Sequence, residues 1–362
     1  MSGVRIAYYI SAHGYGHGVR SSDIIRALAH ERPDAQILVI TDLPEPFLRN
    51  RLRGLRVNFR PGSFDVGMVQ KDSIRVDVDE TFRRVEALCE SWGGRVAEEA
   101  RFLEREEVDL VVSDIAAIPM EAGRRAGLPV VAVANFAWDW IYEEFAERNP
   151  RWQSFVDRFA TGYSCANLLL RLPFCEELRA FVRKVDIPLV ATPGRARRAD
   201  MARITGVSPE STWVLLSFTT LEWGEEALAA VERLEGYEFF TVQPLEWRRR
   251  NIHPLDREQV PFSDTLASAD IVISKPGFGL LSECVVNGKP LVYVDRTDFR
   301  EYELLVREMP RYLKCLHLDA RRLYAGDLAN ALERIPSRPD PPERLETGGA
   351  EIAARHMAAF LK

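Results

Sequence analysis

The chain has 362 residues, of which 46% are hydrophobic, 28% charged and 10% aromatic, the composition of a soluble globular protein long enough for two domains. Its net charge of −6 offers no broad cationic surface, which excludes nucleic acid or an anionic membrane as the first-choice partner. Five cysteines (Cys89, Cys165, Cys175, Cys284 and Cys315) are odd in number and too widely spaced for a zinc motif or a disulfide framework, so they read as reduced core thiols. The apolar run at residues 6–12 is too short for a secretory signal, and no stretch nears the ~20 apolar residues that cross a bilayer. A cytoplasmic protein without a transmembrane segment is expected, with room for peripheral membrane contact.

Short apolar runs then alternate with amphipathic stretches, the pattern of parallel strands covered by helices on both faces. Residues 4–11, 35–41, 57–59, 108–113 and 129–134 read as strands, and 19–30, 81–105 and 120–126 as helices. An aromatic, helix-like section follows over 136–183, and 186–198, with Pro188, Pro193 and Gly194 among arginines, reads as a linker. The alternation restarts with strands at 212–218, 239–242, 271–274 and 290–295 and helices at 225–234, 265–269, 279–287 and 302–309. A proline-rich break over 336–342 precedes a final amphipathic helix at 349–360, where Ile352, His356 and Phe360 recur at helical spacing. The expected organisation is thus a first domain at 1–185, a linker at 186–198, a second domain at 199–338 and a C-terminal helix segment at 339–362.

Between the first strand and the first helix lies Ser11-Ala12-His13-Gly14-Tyr15-Gly16-His17-Gly18. Glycines there let the backbone approach a ligand, and the helix that follows offers free N–H groups and a positive dipole end to an anion or polar acceptor. The two histidines add chemistry, because an imidazole at a strand's C-terminal edge is placed to take a proton and a helix N-terminus favours its neutral, basic form. A plain strand-to-helix turn is the alternative. A dinucleotide site is the other rival, since Asp42 ends the second strand where a ribose-binding carboxylate would sit, but Val19 stands where the third glycine of that fingerprint belongs. Asp114, at the end of the strand at 108–113, can orient an imidazole, bind acceptor hydroxyls or cap a helix. Phe136, Trp138, Trp140 and Tyr142 can floor an acceptor site or fill the core.

The second motif, Ile273-Ser274-Lys275-Pro276-Gly277-Phe278-Gly279-Leu280-Leu281-Ser282-Glu283, repeats the order strand, glycine loop, helix. Lys275 stands out, because only six of the 48 basic residues are lysine. Gly277 and Gly279 would open the helix N-terminus to a diphosphate, and Glu283 follows Gly279 by four residues on the same face, about 6 Å along the axis. That offset roughly spans phosphate to ribose, whose two hydroxyls a carboxylate can accept. Thr219 and Thr220, just past the first strand of this domain, can bond phosphates or serve as ordinary turn residues.

These segments, with Asn135-Phe136-Ala137-Trp138-Asp139-Trp140-Ile141-Tyr142, Leu170-Arg171-Leu172-Pro173 and Gly348-Gly349-Ala350-Glu351-Ile352-Ala353-Ala354, resemble the GT-B glycosyltransferases, the class that includes the bacterial peptidoglycan N-acetylglucosaminyltransferase. The resemblance is strongest to the glycosyltransferase-like N-terminal domain of plant L-arabinokinases. The sugar-kinase part of those proteins has no counterpart in these residues, so kinase activity is not expected. What the resemblance implies is an α/β GT-B fold, two Rossmann-like domains facing across a cleft that holds the reaction, with the C-terminal helix crossing back to the first domain.

Residue by residue, the resemblance matches the acceptor-side histidine to His17, with His13 an additional candidate and Asp114 beside them, and implies acceptor contacts at Gly14, Tyr15, Gly16, Asn135 and Trp138. It matches Glu283 to a ribose-binding glutamate; around it, Ser274, Lys275, Gly277, Phe278, Gly279, Ser282, Thr219 and Thr220 are the candidate donor contacts. The loop after the strand at 290–295 would meet donor-sugar hydroxyls through Glu301 and, less firmly, Glu303, although this sequence departs there from the usual acid-then-glutamine pairing. The expected activity is an inverting transfer from a nucleoside-diphosphate sugar, UDP-linked, to a small-molecule, lipid or glycan hydroxyl. The nucleotide sugar enters as substrate and no cofactor is called for; no Asp-x-Asp pair ends a strand, so none of these residues asks for a metal. An epimerase or hydrolase on the same frame, and a non-catalytic nucleotide-sugar binder, are the rival readings.

Overall fold

The computed structural model describes residues 3–361, leaving Met1, Ser2 and Lys362 outside the described residues, and the chain divides into two compact units. The first comprises Met1–Val69, Asp77–Ala191 and Glu346–Lys362, and the second Gln70–Val76 and Thr192–Leu345.

In chain order the first unit contains β1 (Arg5–Ile10), α1 (Tyr15–Glu31), β2 (Gln36–Ile40), α2 (Glu45–Arg51), β3 (Val57–Arg60), α3 (Val78–Arg105), β4 (Leu110–Asp114), α4 (Ala117–Arg125), β5 (Val130–Ala134), α5 (Trp138–Ala146), α6 (Trp152–Tyr163), β6 (Leu168–Arg171) and β7 (Lys184–Asp186). The strands form one wholly parallel sheet in the order β3-β2-β1-β4-β5-β6-β7. Strands β4 and β5 are buried along their whole length, as a parallel sheet covered on both faces requires. The expected helix-like section at 136–183 is only partly helical: after α5 and α6, the run Leu168-Leu169-Leu170-Arg171 joins the sheet beside β5. A four-residue apolar run carries no period long enough to distinguish a strand from a helix turn.

The second unit contains α7 (Arg198–Thr205), β8 (Thr212–Ser217), α8 (Glu225–Glu232), β9 (Tyr237–Val242), β10 (Ile252–Leu255), α9 (Phe262–Ser268), β11 (Ile271–Ser274), α10 (Phe278–Val286), β12 (Leu291–Val294), α11 (Arg300–Glu308), β13 (Cys315–Leu318), α12 (Ala320–Tyr324) and α13 (Ala329–Arg334). Its sheet is also parallel, in the order β10-β9-β8-β11-β12-β13. The edge strands β10 and β13 escape the sequence reading; β10 contains Pro254, which is tolerated because one side of an edge strand needs no ladder donor.

The observed division is discontinuous where the sequence reading is continuous. Gln70–Val76, which lies between β3 and α3 in the chain, belongs to the second unit, and Ile74 joins its apolar cluster with Phe218, Leu221 and Trp223. The first unit also extends to Ala191, past the expected end at 185.

The chain returns to the first unit in α14 (Gly349–Ala358), which packs on α1. Ala353, Ala354 and Met357 lie in one apolar cluster with Ile24, Ile25 and Leu28. The approach is close at Gly349, where an added Cβ would stand 2.0 Å from the Pro188 carbonyl oxygen, so no larger residue fits. Among the described residues, no helix is long and apolar enough to cross a membrane.

Each sheet reverses its strand order once, at β1/β4 and at β8/β11, and in open α/β sheets the loops beyond the carboxyl ends of such strands bind ligands. The register aligns Ile10 with Asp114 in the first unit and Ser217 with Ser274 in the second, so each glycine loop leaves the sheet at its switch point.

Because Met357 has no exposure to solvent, Met357→Ala should destabilise the first unit by about 2–5 kcal/mol through lost burial and a residual cavity. Urea unfolding followed by tryptophan fluorescence measures this; an unchanged midpoint would contradict the packing of α14.

Candidate active site

In the first unit the site grows from the N-terminal turns of α1. Gly14 caps the helix in an extended conformation, and His17, Arg20 and Ser21 then fall at i, i+3 and i+4 on one helix face. All three point at Asp114, which ends β4 with no exposure to solvent. His17 Nδ1 lies 2.8 Å from Asp114 Oδ1, Arg20 donates through Nε to Oδ2 at 2.8 Å and through Nη2 to Oδ1 at 2.5 Å, and Ser21 Oγ donates to Oδ2 at 2.8 Å. Burial alone would raise the Asp114 carboxyl, but the charge of Arg20 and the hydrogen bonds donated by Arg20 and His17 hold it well below the ordinary carboxylate range.

An ionised carboxylate only accepts, so the short contact assigns the His17 proton to Nδ1 and leaves the lone pair on Nε2. Arg20 Nη2 also lies 3.0 Å from Nδ1, and its acceptor is the nearer Asp114 Oδ1. His13 carries the opposite tautomer. Its Nδ1 accepts the Met68 N–H at 3.3 Å, which places the proton on Nε2. The approach of that backbone requires Gly67, at φ +69°, where an added Cβ would stand 2.2 Å from the His13 ring. The two rings are 6.5 Å apart, and Trp138 meets His13 edge-on at 5.0 Å.

The structure takes several expected acceptor contacts out of reach. Trp138 is 1% exposed and its indole N–H donates to Asp65 Oδ2 at 3.0 Å, so it is core support rather than a stacking floor. Phe136 and Tyr142 are buried with it. Asn135 is buried between Arg20, whose Nη1 donates to its Oδ1, and the Pro173 carbonyl, which accepts from its Nδ2 at 2.5 Å. Asp114 likewise has no surface for an acceptor hydroxyl. Of the expected residues, Gly14, Tyr15, Gly16 and His13 keep solvent exposure.

Two residues absent from the sequence reading complete this half of the site. Arg20 clamps the carboxylate, and Asp65 lies buried beside Ser11 and Trp138, where burial raises its carboxyl against the hydrogen bonds from both. Arg20 had a signal, its i+3 offset from His17; Asp65 sits in a loop with no pattern.

In the second unit Ser274 Oγ donates to the Ser217 carbonyl at 2.5 Å, tying β11 to β8, so that hydroxyl is a structural tie. Lys275 follows, and burial, then the charge of Arg296, lowers its ammonium to about 7. Gly277 caps α10 in an extended conformation with open space at its Cβ position. Phe278 is buried, Gly279 is half-buried, and Ser282 Oγ donates back to the Phe278 carbonyl at 2.8 Å within the helix. Glu283 is 7% exposed, whereas the sequence reading places a carboxylate open to ribose.

Glu301 departs from its expected role. It is buried and accepts from Arg296 Nη1 at 2.9 Å, while the same Nη1 donates to the Pro276 carbonyl at 3.3 Å. Burial lowers the Arg296 guanidinium to about 10, and the Glu301 carboxylate partly restores it. Glu303, Thr219 and Thr220 are exposed.

Asp114→Asn would leave Arg20 as a buried charge with a weakened partner, at a cost of about 3–5 kcal/mol at neutral pH. Because the folded carboxyl lies below its unfolded value of about 3.9, its stabilisation is full above that pH and is lost as pH falls toward the folded value. Urea unfolding of both proteins from pH 7 to pH 2.5 should therefore show their stability gap narrowing below about pH 4; a gap independent of pH would contradict the buried ion cluster.

No protein-family model matches the chain. Among curated proteins it is 29% identical over 364 aligned positions to L-arabinokinase of Arabidopsis thaliana; the match covers 96% of this chain and 33% of that protein, so the chain spans about a third of that relative's length. Among solved structures it resembles the glycotransferase of kitacinnamycin, with a TM-score of 0.65 at 15% identity over 98% of this chain and 97% of the other. It resembles Arabidopsis thaliana UGT89C1 complexed with quercetin equally well, with a TM-score of 0.65 at 15% identity over 99% and 100% of the two chains. UGT89C1 has also been solved with UDP-L-rhamnose, at a TM-score of 0.59 and 14% identity over the whole of both chains. With two parallel, helix-covered sheets matching these proteins along almost their full length, the chain has the fold of the GT-B glycosyltransferases.

Proposed function

We propose that this protein is an inverting, metal-independent glycosyltransferase that moves a sugar from a nucleoside-diphosphate donor, UDP-linked, to the hydroxyl of a small-molecule, lipid or glycan acceptor. The observation that carries the reading is the His17–Asp114 pair at the first sheet's switch point, on a backbone shared with glycosyltransferases. UDP is favoured because UGT89C1, of the same fold, is solved with a UDP-sugar.

In this reading His17 Nε2 removes the acceptor proton as the acceptor oxygen attacks C1 of the donor sugar from the face opposite the diphosphate. The new C–O bond forms as the bond from C1 to the diphosphate oxygen breaks, which inverts the anomeric centre. Asp114 holds the ring through Nδ1 and stabilises the imidazolium that results, without exchanging a proton itself. His13, whose proton is on Nε2, serves as a hydrogen-bond donor to the acceptor and not as the base.

The second unit takes the donor. The N–H groups at the start of α10 and the Lys275 ammonium receive the charge of the leaving diphosphate. Lys275 suits this role physically: it is half-buried and feels the charge of Arg296, so an incoming anion relieves an unfavourable arrangement. Arg296, rather than Glu301, offers the free capacity in the loop after β12.

The reading is tested by incubating the protein with a panel of nucleotide sugars and hydroxyl acceptors and analysing products by mass spectrometry. A new glycoside with released nucleoside diphosphate is expected; an isomerised donor would mean an epimerase, free sugar a hydrolase, and binding without turnover a silent sensor. His17→Ala should lower transfer by ~10²–10⁴-fold while UDP affinity stays within about threefold, whereas His13→Ala should cost about tenfold or less. Equal losses from both variants would contradict the assignment of the base.

A further inference from the structure

Gln70–Val76 forms a small hairpin closed by a Gln70–Val76 bridge and by the Lys71 N–H donating to the Arg75 carbonyl at 2.9 Å. Its tip is fixed by its own groups. The buried Asp72 carboxylate accepts from the Ile74 and Arg75 N–H groups, each at 2.8 Å, and from Arg75 Nε at 2.6 Å. Ile74, 4% exposed, anchors the tip in the apolar cluster of the second unit.

The hairpin presents acceptors to three loops of that unit. Ser73 Oγ accepts from the Thr220 N–H at 2.9 Å and lies 3.3 Å from Thr219 Oγ1. Gln70 Oε1 accepts from Lys275 Nζ at 3.4 Å, and the Ile74 carbonyl accepts from the Thr297 N–H at 3.4 Å. These loops follow β8, β11 and β12, three adjacent strands, at the carboxyl edge where the donor reading places the diphosphate.

We propose that this hairpin is a built-in part of the donor site, with Ser73 and Gln70 as positioning residues that hold the Thr219–Thr220 loop and Lys275 ready for the diphosphate of a nucleoside-diphosphate ligand. The proposal rests on the glycosyltransferase reading. A hydroxyl has two acceptor sites and one proton, so Ser73 alone fixes both the backbone of Thr220 and the side chain of Thr219. A lysine held by Gln70 before the ligand arrives loses less rotamer freedom on binding, which appears as affinity. The anchor is apolar and the tip is tied by Asp72, so the hairpin stays seated when Ser73 is truncated.

The test is calorimetric titration of the full chain with UDP, GDP, ADP and dTDP, alongside thermal unfolding, for the wild type, Ser73→Ala, Ser73→Thr, Gln70→Ala and, as a control on an exposed hairpin residue, Lys71→Ala. Wild-type binding of at least one nucleotide is required first. If none binds, the donor reading fails and the hairpin proposal falls with it. Given binding, Ser73→Ala should raise Kd by about three- to tenfold with unchanged unfolding, Ser73→Thr should recover most of the affinity, and Lys71→Ala should change nothing. A change under twofold, tighter binding, or no recovery in Ser73→Thr at unchanged unfolding would overturn the proposal while leaving the donor reading intact. Should Ser73→Ala fail to fold, Gln70→Ala decides in its place, with a rise in Kd of at least twofold expected and none overturning it.

Discussion

A carboxylate with no access to water organises the first half of this molecule. An isolated buried charge is costly, and Asp114 is tolerable only because Arg20, His17 and Ser21 surround it with four short polar contacts. Those three residues share one face of α1, so the cluster also sets the rotation of that helix about its axis. The rotation in turn fixes which histidine nitrogen meets Asp114 and which remains with a lone pair. Stability and chemistry are therefore not separable at this position.

The second unit is built on the opposite electrostatic principle. Where Asp114 is surrounded by donors, half-buried Lys275 feels the charge of buried Arg296, whose side chain is bonded to one carboxylate, Glu301. Both cations are pulled below their usual values, chiefly by loss of solvent. A nucleoside diphosphate supplies the opposite charge. Both arrangements occupy the same place in their sheets, the point where strand order reverses, which follows from chain connectivity rather than from the particular side chains.

The sequence carries the alternation of strands and helices, both glycine loops and the final helix, because each rests on a local period or on glycine placement. Short strands carry less signal: Ile252-His253-Pro254-Leu255 contains a residue that argues against a strand anywhere but an edge, and Leu168-Leu169-Leu170-Arg171, an interior strand, sits among helical aromatics. Site residues divide the same way. His17 and Lys275 stand in motifs, but burial is not local, so Trp138, Asn135 and Glu301 read as surface contacts and turn out to be supporting structure. Arg20 finds its partner 94 positions away. The placement of Gln70–Val76 in the second unit rests on Ile74 and Ser73, two ordinary residues whose partners come from the other half of the chain.

Asp114 leaves His17 with a basic Nε2, while Met68 leaves His13 with a protonated one. Long-range proton–nitrogen NMR of protein labelled with ¹⁵N at histidine reads each ring's tautomer directly, with His17→Gln and His13→Gln assigning the signals. At a pH where both rings are neutral, the account predicts the proton on Nδ1 of His17 and on Nε2 of His13. A His17 ring protonated on Nε2 would contradict it, since Nε2 would then have no lone pair to take the acceptor's proton.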